Sequence, residues 1–118
     1  MKLRHAHLAV VDRSKVRDYL LNSAHPDNGG KVQFFESLGF TVEHPEVLAH
    51  ALRAVAHSGD VVARVTSAHG EKYVVDGQLS SHTERQAPAM VRTVWIIDHG
   101  LDVPRLVTAY PARSGPSA

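Results

Sequence analysis

Cysteine is absent from this sequence of 118 residues. A chain without thiols cannot form disulfides, bind a metal through thiolates or use a cysteine nucleophile. This composition is compatible with a reducing cytoplasm, which is the location that we expect. A chain of this length forms one domain and buries roughly two-thirds of its unfolded surface, so it needs no covalent cross-links to fold.

Long apolar runs are also missing. No segment approaches the roughly 20 apolar residues of a membrane-spanning helix. The first residues, MKLRHAHLAVVDRSK, reach Asp12 before any long apolar stretch and therefore do not have the pattern of a signal peptide. We expect no membrane association.

Neither sign of charge dominates the sequence. Its 13 basic and 12 acidic side chains give a net charge of +1, which is too small for a constitutive DNA-binding protein. The sequence has no P-loop, no GxGxxG, no GxSxG and no HExxH motif. It therefore carries no signature of a nucleotide site, an α/β-hydrolase or a zinc protease, and we expect no cofactor.

Histidine, in contrast, is abundant, with nine residues. Its pKa lies near neutral pH, so it suits proton transfer, metal binding or ordinary surface polarity. His5 and His7 lie in an alternating segment, Lys2 to Val11, which predicts a short edge strand or an extended lead-in. They could chelate a metal, although two surface histidines are the simpler interpretation. We expect no bound metal.

Helical spacing of apolar residues predicts three helices in the first half of the chain. They cover about Ser14–Asn22, with Tyr19 in the apolar stripe, then about Gly30–Leu38 and Pro45–Ser58. Gly39 occupies the C′ position expected after the second helix, and Pro45 the first position of the third.

The second half is β-rich and is divided by turn residues, with a hairpin signal at His69-Gly70. The predicted strands lie in the segments DVVARVTSAH, EKYVVDGQLS, MVRTVWIID and VPRLVTAYP. Helices followed by an antiparallel meander indicate a single α+β domain over residues 1–111, with a flexible tail over 112–118. The N-terminal helices should pack on one face of the four-stranded antiparallel sheet and leave the other face open.

Alternation along these strands groups basic side chains on one face of the sheet. The simplest assembly places Arg64, Lys72, Arg92 and Arg105 together, where they could contact a phosphate backbone. The alternative is an ordinary solvated face with cross-strand ion pairs, for instance Lys72 or Arg92 with Asp76. The sequence leaves both interpretations open.

The last two strands carry further polar and aromatic side chains. Trp95 is either a core residue or a stacking platform for a base. Thr108 and Tyr110 lie at the rim of the sheet, where their hydroxyls could hydrogen-bond a phosphate or cap their own backbone.

A hinge rich in proline and glycine, His25-Pro26-Asp27-Asn28-Gly29-Gly30-Lys31, separates the first two predicted helices. Proline restricts His25 to an extended or turn conformation. The Asn-Gly-Gly run could direct backbone N–H groups outward, which favours an anion. Lys31 lies in a first helical turn, where a cation opposes the helix dipole, so its presence suggests a bound anion. The alternative is a capped turn with an exposed lysine.

Three segments together resemble a small uncharacterised bacterial family, whose members occur alone or as C-terminal domains of secreted polymorphic toxins. They are LLNSAHPDNGGKVQFFESLGF, KYVVDGQLS and VRTVWIIDHGLDVPRLVTAYP, and the resemblance extends from about Ser14 to Pro111. The layout of helices followed by a four-stranded sheet is more distantly similar to the barnase, EndoU, colicin and RelE superfamily of metal-independent ribonucleases. This second similarity is at the level of the fold.

The ribonuclease resemblance implies attack of an RNA 2′-hydroxyl on the adjacent phosphate. That chemistry needs a general base, a general acid and cations that stabilise the phosphorane, and it needs no metal. The sequence lacks the clear His/Glu pair of the best-known members. The catalytic residues implied are His25 for proton transfer and a set that contacts the phosphate: Lys31, Lys72, Arg92, Thr93 and Thr108. The substrate-binding residues implied are Arg64, Trp95, Arg105 and Tyr110.

The partners expected from this resemblance are RNA, such as tRNA, and a small cognate antitoxin or immunity protein. The alternative is a non-enzymatic interaction module of the antitoxin or immunity type, which binds a partner through the same sheet face without turnover. The two hypotheses differ in whether expression of the protein alone stops growth.

Overall fold

The chain adopts the predicted α+β fold in a computed structural model, which describes residues 1–22, 24–25, 30–80 and 89–112. In these ranges a 3₁₀ turn (Ala6–Leu8) precedes three helical segments and four strands. The first helical segment is α1 (Arg13–Lys15), continued directly by a π-helical turn (Val16–Leu20). The remaining elements are α2 (Lys31–Ser37), α3 (Pro45–Ser58), β1 (Asp60–Thr66), β2 (Gly70–Leu79), β3 (Ala89–Asp98) and β4 (Arg105–Pro111).

The four strands form an antiparallel meander in the order β1-β2-β3-β4. The central pair, β2 and β3, is in register from Gly70 opposite Asp98 to Leu79 opposite Ala89. Both outer pairs contain a register shift, between Val61 and Ala63 in β1 and opposite Val94 and Trp95 of β3. Such bulges bend an edge strand and redirect its side chains.

The helices cover one face of this sheet, as the alternation predicts. On β2 and β3 the residues that point toward the helices are buried: Tyr73, Val75, Val91, Thr93 and Trp95. The buried stripe of α3, which packs on β2, consists of Leu48, Leu52, Val55 and Ala56. Burial of each large apolar side chain contributes roughly 1.5–3 kcal/mol, so this interface fixes the helices on the sheet.

The ends of two helices follow the predicted signals. Gly39 has a φ of 90°, a conformation that favours glycine. Its N–H donates to the Glu36 carbonyl at 2.9 Å, and the Phe40 N–H donates to the Phe35 carbonyl at 3.1 Å. These paired bonds end α2 as a Schellman motif. Pro45 is the first residue of α3, where its missing N–H costs nothing.

The N-terminal segment differs in part from its prediction. Residues 6–8 form a 3₁₀ turn, and strand-like pairing is limited to a parallel bridge between Val10 and Arg105. The Val10 N–H donates to the Pro104 carbonyl at 2.8 Å, and the Leu106 N–H donates to the Val10 carbonyl at 3.0 Å. This bridge covers the start of the outer edge of β4 and brings the first helical segment beside that strand.

Candidate functional site

Tyr19 is the centre of a polar cluster between the first helical segment and β4. Its hydroxyl oxygen lies 3.1 Å from that of Thr108, and its ring meets the His25 imidazole edge-on, with centroids 4.8 Å apart. The Nζ atoms of Lys15 and Lys31 lie 5.5 Å and 5.4 Å from the centroid of the same ring. Tyr19 therefore brings together four polar side chains, three of them from residues 15–31 and the fourth, Thr108, from β4.

The first helical segment positions two members of this cluster. Lys15 and Tyr19 are four positions apart, so they lie on neighbouring turns of one helical face. On the inner face, Val16 and Leu20 are fully buried and anchor the segment to the core. The Leu21 N–H donates to the Val16 carbonyl at 2.9 Å, which widens this turn into a π-helix. Single π turns of this kind are frequent at functional sites.

Thr108 reaches the cluster from a bulge in β4. In the β3–β4 ladder Thr108 pairs with Val94 and Leu106 pairs with Trp95, so Val107 is an additional residue on β4. The bulge lies just beyond the Val10 bridge, on the edge of the strand that faces the first helical segment. A bulge changes the direction in which the side chains of its strand point. The extra residue, Val107, therefore alters the direction of the neighbouring side chains of β4.

Lys31 enters the cluster as the first residue of α2. Val32 and Phe35 are buried and hold this short helix on the core. The N-cap residue Gly30 has a φ of 89°, as the permissive backbone of the predicted hinge allows. The expected backbone anion site at Asn28-Gly29 lies outside the described residues.

Two open grooves meet at this cluster, and Lys15, Tyr19 and His25 line both. The first, with a volume of about 420 Å³, is called the acidic groove here and is also lined by Asp12, Ser14 and Asp18. The second, with a volume of about 390 Å³, is called the Thr108 groove and is also lined by Val107 and Thr108. A bound molecule could thus extend across Tyr19 from one groove to the other.

Three of the site residues predicted from sequence come together here: His25, Lys31 and Thr108. Sequence reasoning missed Lys15 and Tyr19. Tyr19 falls at an apolar position of the helical pattern, and tyrosine satisfies that pattern without revealing that its hydroxyl is used. The spacing of four residues between Lys15 and Tyr19 was the available signal.

Thr93 and Trp95 lie in the core, away from the grooves. Both are fully buried. The Thr93 hydroxyl donates to the Val75 carbonyl at 2.8 Å and accepts from the Trp95 indole N–H at 2.7 Å. This chain of hydrogen bonds satisfies the polar atoms of both side chains inside the core. Of the two interpretations of Trp95, the structure therefore supports the core residue. The Thr93 hydroxyl hydrogen-bonds Trp95 inside the core and does not face a phosphate.

The predicted grouping of basic residues on the open sheet face is correct for three of the four. Lys72 lies opposite Ile96, which lies opposite Arg105, and Arg92 shares their face by alternation along β3. Arg64 was wrongly placed with them. It lies opposite Tyr73, on the side of the sheet that carries the helices, because the bulge in β1 shifts the alternation.

Acidic partners neutralise most of this basic set. Arg92 donates to both carboxylate oxygens of Asp76 at 2.8 Å, which confirms the predicted cross-strand pair. Arg105 donates to Asp98 at 2.8 Å and 3.1 Å. The hydrogen bond that Arg105 donates lowers the pKa of Asp98. The hydrogen bond that Arg92 donates to Asp76 raises the pKa of Arg92. Of the three basic side chains on the open face, Arg92 and Arg105 are therefore paired with aspartates.

The other predicted basic and aromatic positions have structural contacts of their own. The Arg64 Nε atom lies 3.2 Å from a Glu71 carboxylate oxygen, and its guanidinium lies 6.0 Å from the Tyr73 ring centroid. Tyr110 lies opposite Arg92 in the ladder, and it adds to the rise in the pKa of Arg92 that the hydrogen bond to Asp76 mainly causes. Neither Arg64 nor Tyr110 lines the two grooves.

The described part of the chain contains no group of three or more histidine, aspartate or glutamate side chains that could hold a metal ion. The rings of His5 and His7 are 6.3 Å apart, on the 3₁₀ turn and the residue before it. Among the described residues, no helix is long and apolar enough to cross a membrane.

The fold and the cluster define a small α+β domain with a basic and aromatic site at the edge of its sheet. The chain belongs to the family described as a domain of unknown function, DUF6883, which matches residues 2–113. This agrees with the uncharacterised family expected from the sequence. A comparison with curated proteins finds no match.

Among solved structures, the fold is similar to a chain described as a contact-dependent growth inhibition toxin–immunity protein complex from Klebsiella pneumoniae 342. The TM-score is 0.70 at 14% sequence identity, and the match covers 92% of this chain and 97% of that chain. At this level of identity, the similarity shows a shared fold.

Proposed function

We propose that this protein is a toxin-type ribonuclease that cleaves RNA without a metal. The observation that carries the proposal is the convergence of His25, Lys15, Lys31 and Thr108 on Tyr19, beside two open grooves. Cleavage by a 2′-hydroxyl requires proton transfer, positive charge and hydrogen bonds to a phosphate. This cluster contains groups of all three kinds. The structural neighbour adds that a domain of this fold occurs in a toxin–immunity complex.

The proposed reaction is an internal transesterification. The 2′-oxygen attacks the adjacent phosphorus as the bond from phosphorus to the 5′-oxygen breaks, which yields a 2′,3′-cyclic phosphate and a 5′-hydroxyl. His25 accepts the proton of the 2′-hydroxyl as general base. The departing 5′-oxygen takes a proton from solvent water, which reaches the open groove.

The two lysines supply the positive charge that this reaction requires. The phosphorane carries more negative charge than the starting diester, so nearby cations stabilise it more than the substrate. Lys15 and Lys31 are both half-buried, and both ammonium groups lie within 5.5 Å of one ring centroid. The contact with an aromatic face holds each cation near Tyr19.

Thr108 and Tyr19 serve as the phosphate-binding hydroxyls in this proposal. Their mutual contact restricts rotation of the Thr108 hydroxyl beside the groove. A hydroxyl that is already oriented loses little freedom when a phosphate oxygen binds to it. Arg92, Arg105 and Thr93 are left out of the proposed site, since each is engaged by a partner described above.

The experiment is incubation of the purified protein with total RNA and with tRNA in EDTA, followed by gel analysis. We expect discrete fragments that end in a 2′,3′-cyclic phosphate. The matched control for His25→Ala is His57→Ala, an exposed histidine near the end of α3. We expect cleavage to be lost in the first variant and retained in the second. Intact RNA, with folding confirmed by circular dichroism, would overturn the proposal.

A second candidate function is a non-enzymatic partner of the immunity or antitoxin type. The observation that favours it is the same structural match, because the named complex contains an immunity protein as well as a toxin. Under this function the protein would bind a partner tightly without turnover. Expression of the protein alone separates the two, since a ribonuclease should stop growth and an immunity-like partner should leave growth unchanged.

A further inference from the structure

The main chain turns sharply between Tyr19 and His25, and this turn brings the two rings together. It begins where the first helical segment ends, at Leu20 and Leu21, which are buried in the core. The ring centroids of Tyr19 and His25 lie 4.8 Å apart. A general base must lie within hydrogen-bond reach of the proton that it takes. The proposed role of His25 therefore depends on the contacts that hold this turn.

The backbone of Asn22 is hydrogen-bonded to both partners of this ring contact. Its N–H donates to the Tyr19 carbonyl at 3.3 Å, and its carbonyl accepts from the His25 N–H at 3.1 Å. The second bond joins residues three positions apart, as in a β-turn, and asparagine is favoured at the first position of such turns. The two bonds tie the main chain of His25 to the helical segment that carries Tyr19.

The side chain of Asn22 stabilises the same turn from both of its ends. Its amide nitrogen donates to the Asp18 carbonyl at 3.1 Å, and its Oδ1 atom accepts from the Ala24 N–H at 3.0 Å. The first bond supplies a partner to one of the last four carbonyls of the helical segment. The second forms an Asx turn, in which the side chain takes the place of a backbone carbonyl. Asparagine can fill both roles because its amide group donates and accepts.

We propose that Asn22 is a positioning residue, whose side chain holds the turn that keeps the His25 imidazole against the Tyr19 ring. This inference rests on the proposed ribonuclease function. Asn22 is not among the described residues that line the two grooves, so it acts through His25 and does not touch RNA. Its two side-chain bonds are exposed, and water can replace them. Their loss should therefore displace His25 more than it destabilises the fold, and a displacement of about 1 Å can slow a reaction by about 10²-fold.

The first test measures the position of His25 without RNA. NMR of the full chain detects nuclear Overhauser effects between the His25 imidazole protons and the Tyr19 ring protons, and His25→Ala identifies the signals. We expect these effects to be lost in Asn22→Ala and retained in Gln33→Ala, which removes an exposed amide from α2. Asn22→Ser should be intermediate, since a serine hydroxyl forms the same kind of turn more weakly.

Circular dichroism confirms that each of these variants is folded. If Asn22→Ala does not fold, Asn22→Ser carries the comparison. Nuclear Overhauser effects of wild-type strength in the folded variants would overturn the positioning role of Asn22.

The second test is a double-mutant cycle on the initial rate of RNA cleavage. We expect Asn22→Ala to slow cleavage by about tenfold or more, and Gln33→Ala to leave the rate unchanged. Added to His25→Ala, the Asn22→Ala substitution should cause no further loss, because a residue that acts through His25 then has nothing to position. A full further loss in the double variant would show that Asn22 acts independently of His25 and would overturn the proposal.

Together the two tests separate this inference from the proposed ribonuclease function. Loss of the ring contact in Asn22→Ala, with no cleavage by the wild type, would overturn the ribonuclease proposal and leave the placement of His25 by Asn22 intact. Cleavage by the wild type, with both the ring contact and the rate unchanged in Asn22→Ala, would do the reverse.

Discussion

The hydroxyl oxygens of Tyr19 and Thr108 lie 3.1 Å apart, although 89 positions separate the two residues in sequence. This contact links the first helical segment to the bulged part of β4. It also lies where His25 and two lysines gather around the Tyr19 ring. The arrangement of the proposed site therefore depends on the packing of a helix against a sheet edge.

Removal of the Tyr19 or the Thr108 hydroxyl should reduce RNA cleavage much more than it reduces the stability of the protein. We expect Tyr19→Phe and Thr108→Val each to lower the free energy of unfolding by about 1 kcal/mol, because one partly exposed hydrogen bond is lost. RNA cleavage should fall much further, by about 10²-fold, if the hydroxyls bind the reacting phosphate. Urea denaturation and initial cleavage rates measure the two effects.

A double-mutant cycle completes this test. The two substitutions should combine to less than the sum of their separate effects on the free energy of unfolding, since they remove the same contact. Full cleavage activity in Thr108→Val would contradict its role in binding the phosphate.

The two lysines at the Tyr19 ring should be needed for cleavage and not for folding. We expect Lys15→Gln and Lys31→Gln each to slow cleavage by about 10²-fold or more, because each removes a cation that stabilises the phosphorane. Arg53→Gln is the control, since it removes the same charge from an exposed position of α3. Initial rates at low and at moderate salt measure the effect. Equal rates in Lys31→Gln and Arg53→Gln would remove Lys31 from the site.

Thr93 should matter for stability through its buried hydrogen bonds. Thr93→Val leaves the Trp95 indole N–H without its partner at 2.7 Å, and an unsatisfied buried group costs about 1–3 kcal/mol. We expect the free energy of unfolding to fall by that amount in urea denaturation, followed by the fluorescence of the single tryptophan. Thr41→Val, at an exposed position, is the control and should change little. Equal stability of the two variants would show that the buried bonds contribute nothing net.

The pair between Arg105 and Asp98 predicts an acid-dependent contribution to stability. The hydrogen bond lowers the pKa of Asp98 in the folded state, so its contribution is present above the pKa of the unfolded chain, about 3.9, and is lost as the pH falls through the lower folded value. We expect the difference in Tm between wild type and Asp98→Asn to be constant from neutral pH to about pH 5 and to shrink below it.

The size of this effect should be modest, because the pair is partly exposed. The side chains of Arg105 and Asp98 are 50% and 26% exposed, and solvent screens such pairs. Thermal unfolding followed by circular dichroism across the acidic range measures the difference. A difference that grows on acidification would contradict the assigned direction of the pKa shift.

Much of the fold could be predicted from the sequence, because its signals are local. Apolar spacing located α3, Gly39 marked the end of α2, and Pro45 marked the start of α3. Alternation along β2 and β3 predicted which face is buried, since neither strand is interrupted by a bulge. These features depend on residues close together in the chain.

The site could be predicted only in part, since it depends on pairings between distant residues. Arg64 was assigned to the wrong face because the bulge in β1 has no clear signal in the sequence. Arg92 and Arg105 looked available to a phosphate, but the strand register and the turn before β4 bring each of them to an aspartate. Tyr19 satisfies an apolar pattern, so its hydroxyl contact with β4 could not be inferred.

The most direct test of the central claim is the rate at which purified His25→Ala cleaves RNA in EDTA, with and without added imidazole. The wild type and His57→Ala are measured beside it, and circular dichroism confirms that each protein is folded. We predict a loss of about 10²- to 10⁴-fold in His25→Ala, which is the usual contribution of a general base, and partial recovery with imidazole. Cleavage by His25→Ala at the wild-type rate would contradict the proposed role of the cluster around Tyr19.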